Sequence, residues 1–338
     1  MNKTFSNIVK YIIFLSLGVF LIWWSLHQIP DDEMDKFKMA LKQAHYWLII
    51  PVFIILSTSH VLRALRWKIL MEPLGYKPST LNTFFAVMIG YLVNMAVPRL
   101  GEVLKCTIIA KYEKVPAEKI VGTIVAERAF DVVCLGIVFV LALLFQFDVV
   151  SASFTQIKTT SAGLHHGASN TNHTKLIVLA VVGVLIAGIV IWLLVSGKWK
   201  SFTATIKKII VGIWEGLISV KKVKHKWLFI FYSVAIWTLY IVGTWIGLYA
   251  TEGTGLGFKE ALSCLALASI GMILTPGGIG SYALLIAIVL REYDVDYTIG
   301  LANGTLQWFS QFIIVLVVGF ISVGLLPWYN KKKSHETN

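Results

Sequence analysis

The sequence predicts an all-α polytopic membrane protein with about six full transmembrane helices and two re-entrant helical hairpins in an inverted repeat. Composition is the first reason: of 338 residues, 57% are apolar and only 14% are charged, whereas soluble domains carry about 25% charged residues. The second reason is a pair of interruptions rich in proline and glycine, at 98–102 and 276–280. Broken helices at corresponding places in two halves indicate a binding site near the middle of the membrane.

Six apolar runs are long enough to cross the membrane as full helices. They lie at 11–26, 47–65, 120–145, 176–195, 227–250 and 299–326. The first run would also fit a signal peptide, but it is long and no small-residue cleavage pattern follows it. We therefore expect it to be a retained span.

The apolar segments beside each interruption are shorter. Segments 81–97 and 103–112 flank the first, and segments 261–275 and 283–290 flank the second. The downstream arms are about ten residues, or roughly 15 Å of helix, which is half of a ~30 Å hydrocarbon core. We expect each pair of arms to enter and leave the membrane on one side.

The distribution of the 30 lysines and arginines predicts the orientation. Most of them fall in segments on the same side as the N-terminus, which places both termini in the cytoplasm. The first hairpin is then entered from the cytoplasm and the second from outside. The sequence predicts one domain, 1–338, which contains two repeat units at about 66–146 and 250–326. The two units are inverted relative to each other.

Two extramembrane segments have distinct compositions. Segment 148–175 is rich in small polar residues and histidine and is predicted to be a flexible external loop. In segment 201–226, apolar residues recur every three or four positions among lysines, which predicts an interfacial amphipathic helix on the cytoplasmic side. A solvated basic loop is the alternative. Neither the loop histidines nor the three separate cysteines have ligand spacing, so we expect no metal and no cofactor.

Charged side chains lie at the first interruption and near the start of the span that follows it. In the first group they are spaced by three residues, and in the second the last residue lies three and four positions after the other two, so each group clusters on one side of its helix. A charge in mid-membrane costs at least about 2.5–3.5 kcal/mol, so these side chains must pair, face water or face a polar ligand. They are Arg99, Glu102, Lys105, Glu127, Arg128 and Asp131.

Two interpretations of these charges stay open. In the first, they form an internal salt-bridge network that only fastens the hairpin to the span. In the second, they line a polar cavity in which Arg99, Lys105 and Arg128 hold the phosphate of an anionic head group, because arginine binds phosphate in a bidentate manner. The backbone N–H groups at 100–101 would then add a helix N-terminus to the site.

The second interruption lacks charge. Gly277, Gly278 and Gly280 leave bare backbone that a ligand or another helix can approach closely. In the last span, a stripe of uncharged polar residues recurs every four positions, which fits either hydrogen bonding between helices or a cavity wall. The stripe is formed by Asn303, Gln307 and Gln311.

Arg63 and Arg66 lie near the cytoplasmic end of the second span. Long basic side chains at that depth reach the interface or contact lipid phosphate. We therefore expect both arginines to extend to the membrane surface.

The chain resembles, over nearly its whole length, the family named for the transmembrane region of lysylphosphatidylglycerol synthase, also called flippase-like proteins. Members include the membrane half of the multiple peptide resistance factor, which is associated with moving aminoacylated phosphatidylglycerol between leaflets. Other members stand near glycosyltransferase or polyprenyl-lipid pathways. The residues that carry the resemblance are Asn94, Pro98-Arg99-x-Gly101-Glu102, Glu127-Arg128-x-x-Asp131 and Pro276-Gly277-Gly278-x-Gly280.

The resemblance implies a translocase of an anionic phospholipid or polyprenyl-phosphate-linked lipid in the bacterial cytoplasmic membrane. Its expected partners are lipids with anionic head groups and a lipid- or glycan-synthesising enzyme, and no nucleic acid. No catalytic residue is expected. The candidate substrate-binding residues are Arg99, Glu102, Lys105, Glu127, Arg128, Asp131, Asn94, Gly277, Gly278, Gly280 and Gln307.

Two departures from the family pattern matter. The synthase members continue into a large soluble aminoacyl-transfer domain, but this sequence stops soon after three lysines, 331–333, so we do not expect an enzyme. The glycine-rich motif usually continues to a glutamate, where this chain has Ala283. The alternatives are a membrane-embedded transferase acting on a lipid-linked sugar and a non-transporting scaffold for a synthase.

Overall fold

A computed structural model of the protein describes residues 16, 19–27, 29–97, 99–162 and 223–336. The regular structure of these residues is helical, with no strand, and four of their helices are long and apolar enough to cross a membrane. The chain is therefore an all-α membrane protein. Pro98, the predicted span 176–195 and the loop histidines lie outside the described residues. The predicted helix 201–226 and the first span, 11–26, lie partly outside them.

In the part of the chain that the structure describes, nine α-helices follow residues 19–27, which are also helical. Short 3₁₀ turns precede α1 and α2, follow α2 and join α7 to α8. The nine helices are α1 (Met34–Lys42), α2 (Ile49–Met71), α3 (Thr80–Ala96), α4 (Leu100–Glu113), α5 (Ala117–Ala162), α6 (Lys226–Leu248), α7 (Phe258–Leu274), α8 (Ser281–Arg291) and α9 (Tyr297–Glu336).

The four membrane-length helices match four of the predicted spans. They occupy Tyr46–Leu74, Ala117–Phe154, Lys226–Leu248 and Tyr297–Lys331, where the sequence predicted 47–65, 120–145, 227–250 and 299–326. Long apolar runs of this kind specify membrane helices because every backbone polar group is bonded within the helix itself.

Helix α5 is longer than predicted. It runs to Ala162 with one non-helical residue, Gln146, at φ −146° and ψ 45°. The prediction of a flexible loop from residue 148 is therefore wrong for 148–162, although 163–175 lie outside the described residues. Burial gives the reason: Val150 is fully buried in a core cluster with residues of α7 and α8, so this polar-looking segment packs as a helix.

The short helices form two packed pairs, α3 with α4 and α7 with α8, and both α3 and α8 pack on α9. Glycine permits the close approach in each pair. A Cβ added to Gly101 would collide with the carbonyl oxygen of Gly90, and one added to Gly271 would lie 2.9 Å from the carbonyl oxygen of Ser281. The two breaks thus sit inside tight helix contacts.

Buried apolar side chains form two main clusters. One surrounds Trp67 and Phe85 and joins α2, α3, α4 and the first half of α5. The other surrounds Leu267 and Ile286 and joins α7 and α8 to later residues of α5. A cavity draws its lining from the helices of both clusters.

Candidate functional site

The cavity has a volume of about 600 Å³ and takes its lining from α2, α3 and α5 to α9. The charged lining groups are Arg63 on α2 and Arg128 and Asp131 on α5, while α6 and α9 contribute uncharged groups such as Thr244 and Gln311. Its size is in the range of ligand pockets, about 300–1,000 Å³. The lining contains residues of both predicted repeat units, for example Arg128 of the first and Gln311 of the second.

Two arginines of α2 pair with the carboxylates of α5, and one of them, Arg63, lies in the cavity lining. Arg63 Nη1 lies 2.7 Å from Asp131 Oδ2, and Arg66 Nη2 lies 2.6 Å from Asp131 Oδ1. Both arginines also approach Glu127 Oε1, at 3.4 and 3.5 Å. The expectation that Arg63 and Arg66 reach the membrane surface is therefore wrong: three positions apart on one helix, they share a face that meets the acidic face of α5.

Lys105 joins α4 to the same carboxylates. Its Nζ lies 3.2 Å from Glu127 Oε2, and both side chains are at most 2% exposed. The ammonium group also lies 4.4 Å from the centre of the Trp67 ring, where the ring face attracts a cation. Lys105 is thus held from two sides and does not reach the cavity lining.

Arg63, Arg66, Lys105, Glu127 and Asp131 are named here the buried charge cluster. Three cations face two carboxylates in it, so among the described residues the cluster carries one positive charge in excess. Buried charge is strongly disfavoured without a counter-charge. The excess lies beside the cavity, where Arg63 and Asp131 form part of the wall.

Arg128 forms a separate and more exposed pair. Its Nη2 lies 2.5 Å from Glu102 Oε1, with the two side chains 46% and 25% exposed. Arg128 lines the cavity, and Glu102 fixes the arginine from outside the lining. The pair fastens α4 to α5 and presents a guanidinium group to the cavity.

The break before α4 positions Asn94 and Arg99. The backbone N–H of Gly101 donates to Asn94 Oδ1 at 2.8 Å, which satisfies one free donor at the start of α4. Arg99 adopts a left-handed backbone with φ 70°, a conformation that costs a non-glycine residue about 1–2 kcal/mol. Its side chain is exposed, so Arg99 shapes the turn and does not line the cavity.

The break before α8 has left-handed backbone at each of its glycines, with φ between 63° and 73° for Gly277, Gly278 and Gly280. The carbonyl oxygen of Gly277 accepts a hydrogen bond from Trp308 Nε1 at 2.7 Å. Ser281 Oγ donates to the carbonyl oxygen of Gly271 at 2.6 Å. Hydrogen bonds with Trp308 and Gly271 of the neighbouring helices hold this break in place. Of its three glycines, only Gly277 lines the cavity.

The polar stripe of α9 serves both predicted purposes. Asn303 Nδ2 donates to the carbonyl oxygen of Gly247 at 3.1 Å, which holds α9 to the end of α6. Gln307 Nε2 donates to Asn303 Oδ1 at 2.7 Å, and Gln307 also lines the cavity together with Gln311. Asn303 thus holds two helices together, whereas Gln307 and Gln311 lie in the cavity lining.

The structure brings part of the predicted site to the cavity. The predicted residues that line it are Asn94, Arg128, Asp131, Gly277 and Gln307. Those that lie outside the lining are Arg99, Glu102, Lys105, Glu127, Gly278 and Gly280.

Several lining residues were missed by sequence reasoning. Arg63 Nη2 donates to the Tyr240 hydroxyl at 3.0 Å. His60 Nδ1 and Trp237 Nε1 also face this region, and neither has a hydrogen-bond partner among the described residues. The spacing of His60 and Arg63 on one face of α2 was an available signal, whereas the α6 residues carried none.

Ala283 occupies the position of the expected glutamate. It is 8% exposed and packs with Ala287 and Leu301, and a Cβ added to Gly304 would lie 2.8 Å from its Cα. The side chain therefore belongs to the contact between α8 and α9, outside the cavity lining. Among the described residues, no group of three or more histidine, cysteine, aspartate or glutamate side chains could hold a metal ion.

Two comparisons with known proteins match most of the chain. A family model described as the lysylphosphatidylglycerol synthase TM region matches residues 7–319. The chain is 23% identical over 311 residues to UPF0104 membrane protein MJ1595 of Methanocaldococcus jannaschii, an alignment that covers 89% of this chain and 91% of that protein. No solved structure matches the chain.

Proposed function

Because this chain belongs to the family of the lysylphosphatidylglycerol synthase transmembrane region, we propose that it translocates an anionic lipid between membrane leaflets. The lipid is of the phospholipid or polyprenyl-phosphate type. We place the protein in the bacterial cytoplasmic membrane with both termini in the cytoplasm, because most lysines and arginines of the sequence fall on that side.

The excess positive charge of the buried charge cluster is the observation that carries this proposal. Arg63 and Asp131 lie in the cavity wall, and the carboxylates of the cluster are already engaged by Arg63, Arg66 and Lys105. An anion entering the cavity would neutralise the excess in a region of low dielectric, where such an interaction is strong. A phosphate group provides that charge and several acceptor oxygens for arginine.

The helix lengths support two re-entrant hairpins. Helices α3 and α4 have 17 and 14 residues, and α7 and α8 have 17 and 11. At 1.5 Å per residue they measure roughly 26, 21, 26 and 17 Å, each shorter than a ~30 Å core. With the cytoplasmic N-terminus, the two hairpins enter from opposite faces and meet at the cavity, an arrangement used by secondary transporters.

The arginines of the cavity lining can also bind the lipid head group while it crosses the membrane. A head group crossing the membrane must exchange its hydration for protein contacts, because a bare charge in hydrocarbon is disfavoured. Arg128 offers a guanidinium group that Glu102 orients from behind, and Arg63 offers a second one held by Asp131. Two fixed arginines at the cavity would replace the water lost by a phosphate.

Leaflet exchange in proteoliposomes tests the proposal. Fluorescent phosphatidylglycerol is placed in both leaflets, and a membrane-impermeant quencher reports the fraction that reaches the outer leaflet over time. We expect exchange above the protein-free rate, and Arg128→Gln should reduce its rate at least about tenfold, the loss of one charged hydrogen-bonding group. Lys119→Gln, at an exposed lysine of the same helix, is the matched control.

Two results would contradict the proposal in different ways. If the wild-type protein exchanges no faster than protein-free liposomes, the translocase function is wrong. If the wild type exchanges lipid and Arg128→Gln is equally fast, the function stands and the assignment of this cavity is wrong.

A further inference from the structure

The acidic groups of the cavity are already occupied. Asp131 is the one carboxylate among the described residues that line it. Its Oδ1 accepts from Arg66 and its Oδ2 from Arg63, at 2.6 and 2.7 Å. Glu127 lies behind the lining and is engaged by Lys105. A cationic group on a ligand that enters the cavity would therefore meet no free carboxylate among the described lining residues.

The basic groups of the cavity also disfavour a cationic ligand. Arg63 and Arg128 both line it, and the buried charge cluster already carries one positive charge in excess. An ammonium group placed beside them would be repelled at low dielectric, where like charges interact strongly. The charges of these lining residues therefore disfavour a head group that carries an ammonium group.

The cavity lining also contains uncharged hydrogen-bonding groups. They include Gln307 and Gln311 on α9 and Thr244 on α6. Trp237 Nε1 lines the same cavity and has no partner among the described residues. His60 Nδ1, on α2, has none either. Amide, hydroxyl and indole groups of this kind pair with hydroxyls and neutralise no charge.

We propose that the cavity is specific for an anionic phosphate lipid whose head group bears neutral hydroxyls, and that it discriminates against aminoacylated, ammonium-bearing head groups. The phosphate lies at Arg63 and Arg128, and the hydroxyls lie against Trp237 and Gln311. This specificity rests on the proposed translocase function and concerns the same site. It follows from a site that repels an added cation and whose lining holds neutral hydrogen-bonding groups for a polyol or sugar, among them the unpaired Trp237 Nε1.

Equilibrium binding to the purified full-length chain in phosphatidylcholine nanodiscs tests the specificity. The probes are dihexanoyl phosphatidylglycerol, its lysyl ester and dihexanoyl phosphatidic acid, measured by isothermal titration calorimetry. We expect phosphatidylglycerol to bind at least about tenfold more tightly than the lysyl ester. Equal or tighter binding of the lysyl ester, or no binding of phosphatidylglycerol, would overturn the inference.

Substitutions at Gln311 locate the selectivity. Gln311→Glu places a carboxylate in the cavity lining at nearly unchanged size and should raise the affinity for the lysyl ester about tenfold relative to phosphatidylglycerol. Gln311→Leu removes the amide and should weaken phosphatidylglycerol binding more than binding of phosphatidic acid, which lacks the glycerol hydroxyls. If Gln311→Glu does not fold, the leucine variant still decides, and equal losses for both probes would overturn the assignment.

Leaflet exchange of the same lipids separates this inference from the translocase proposal. Binding that is selective for phosphatidylglycerol without any leaflet exchange would contradict the transport function and leave the specificity intact. Exchange of the lysyl ester as fast as phosphatidylglycerol would contradict the specificity and leave the transport function intact.

Discussion

Lys105 Nζ lies 3.2 Å from Glu127 Oε2 in a contact where both side chains are at most 2% exposed. The lysine belongs to the short helix α4 and the glutamate to the membrane-length helix α5. Because Glu127 also faces Arg63 and Arg66, the two partners of this pair are not equivalent. The glutamate contacts three cations, whereas the lysine pairs with one carboxylate.

Glu127→Gln should destabilise the protein more than Lys105→Met does. Removing the glutamate leaves three buried cations facing Asp131 alone, and breaking a buried pair in this way costs about 3–5 kcal/mol. Removing the lysine leaves two cations and two carboxylates in balance, so we expect a loss below about 2 kcal/mol. Thermal unfolding in detergent, followed by size-exclusion chromatography, compares the two variants. Equal losses would contradict the charge balance described for the cluster.

Gly101→Ala should prevent α3 and α4 from closing against each other. The added methyl group would collide with the carbonyl oxygen of Gly90 and lie 2.7 Å from Asn94, so we expect a marked drop in the yield of monodisperse protein. Gly122→Ala is the control, because nothing lies within 4 Å of the added methyl group on α5. That control should be neutral or stabilise the helix by about 0.5–1 kcal/mol. Similar yields for the two variants would show that the close approach is not required.

The contact between α1 and the start of α9 should weaken in acid. Burial alone raises the pKa of Asp296, but hydrogen bonds from Lys36 and the backbone of Thr298 outweigh it and hold that pKa below its ordinary value of 3.8. A lowered carboxyl pKa stabilises the folded state above the ordinary value, and the contribution is lost as pH falls through the folded-state pKa. Hydrogen exchange of α1, corrected for intrinsic rates, should rise below about pH 4.

Asp296→Asn should remove this acid sensitivity, with exchange of α1 already raised at neutral pH. Lys38→Gln, which breaks an exposed pair with Asp35 on the same helix, is the control and should leave the pH profile unchanged. Persistence of the acid transition in Asp296→Asn would assign it to another group.

Ala283→Glu should destabilise the contact between α8 and α9. Ala283 is 8% exposed among apolar neighbours, with Gly304 close against it, so the glutamate would bury a carboxyl group without a partner among the described residues at about 2 kcal/mol or more. Ala283→Gln has the same size without the charge and should lower the melting temperature less. A glutamate variant as stable as the wild type would show that this contact can open to accept the residue.

Sequence reasoning located the parts of this fold that depend on local pattern. The four described membrane helices follow from long apolar runs, and the two breaks follow from proline and glycine at 98–102 and 276–280. The helix at 148–162 was missed because its polar composition outweighed the burial of Val150, which depends on distant helices.

The site was predicted in part for the same reason. The charges of Glu102, Arg128 and Asp131 were found because they interrupt apolar sequence. Arg63 and Arg66 were assigned to the membrane surface, since their carboxylate partners lie 61–68 residues further along the chain. Periodicity shows which residues share a face of one helix, but the pairing of two such faces is set by tertiary packing. The α6 wall, with Tyr240 and Thr244, had no local signal at all.

The separation between these partners also sets the order in which the protein can mature. Arg63 and Arg66 are synthesised first, and at about 5–20 residues per second the acidic face of α5 follows roughly 3–13 s later. During that interval α2 carries two arginines for which α5 provides no carboxylate, each disfavoured in the membrane by about 2.5–3.5 kcal/mol. The second span therefore reaches its final place only after a later span arrives, and its insertion is completed by assembly of the helices.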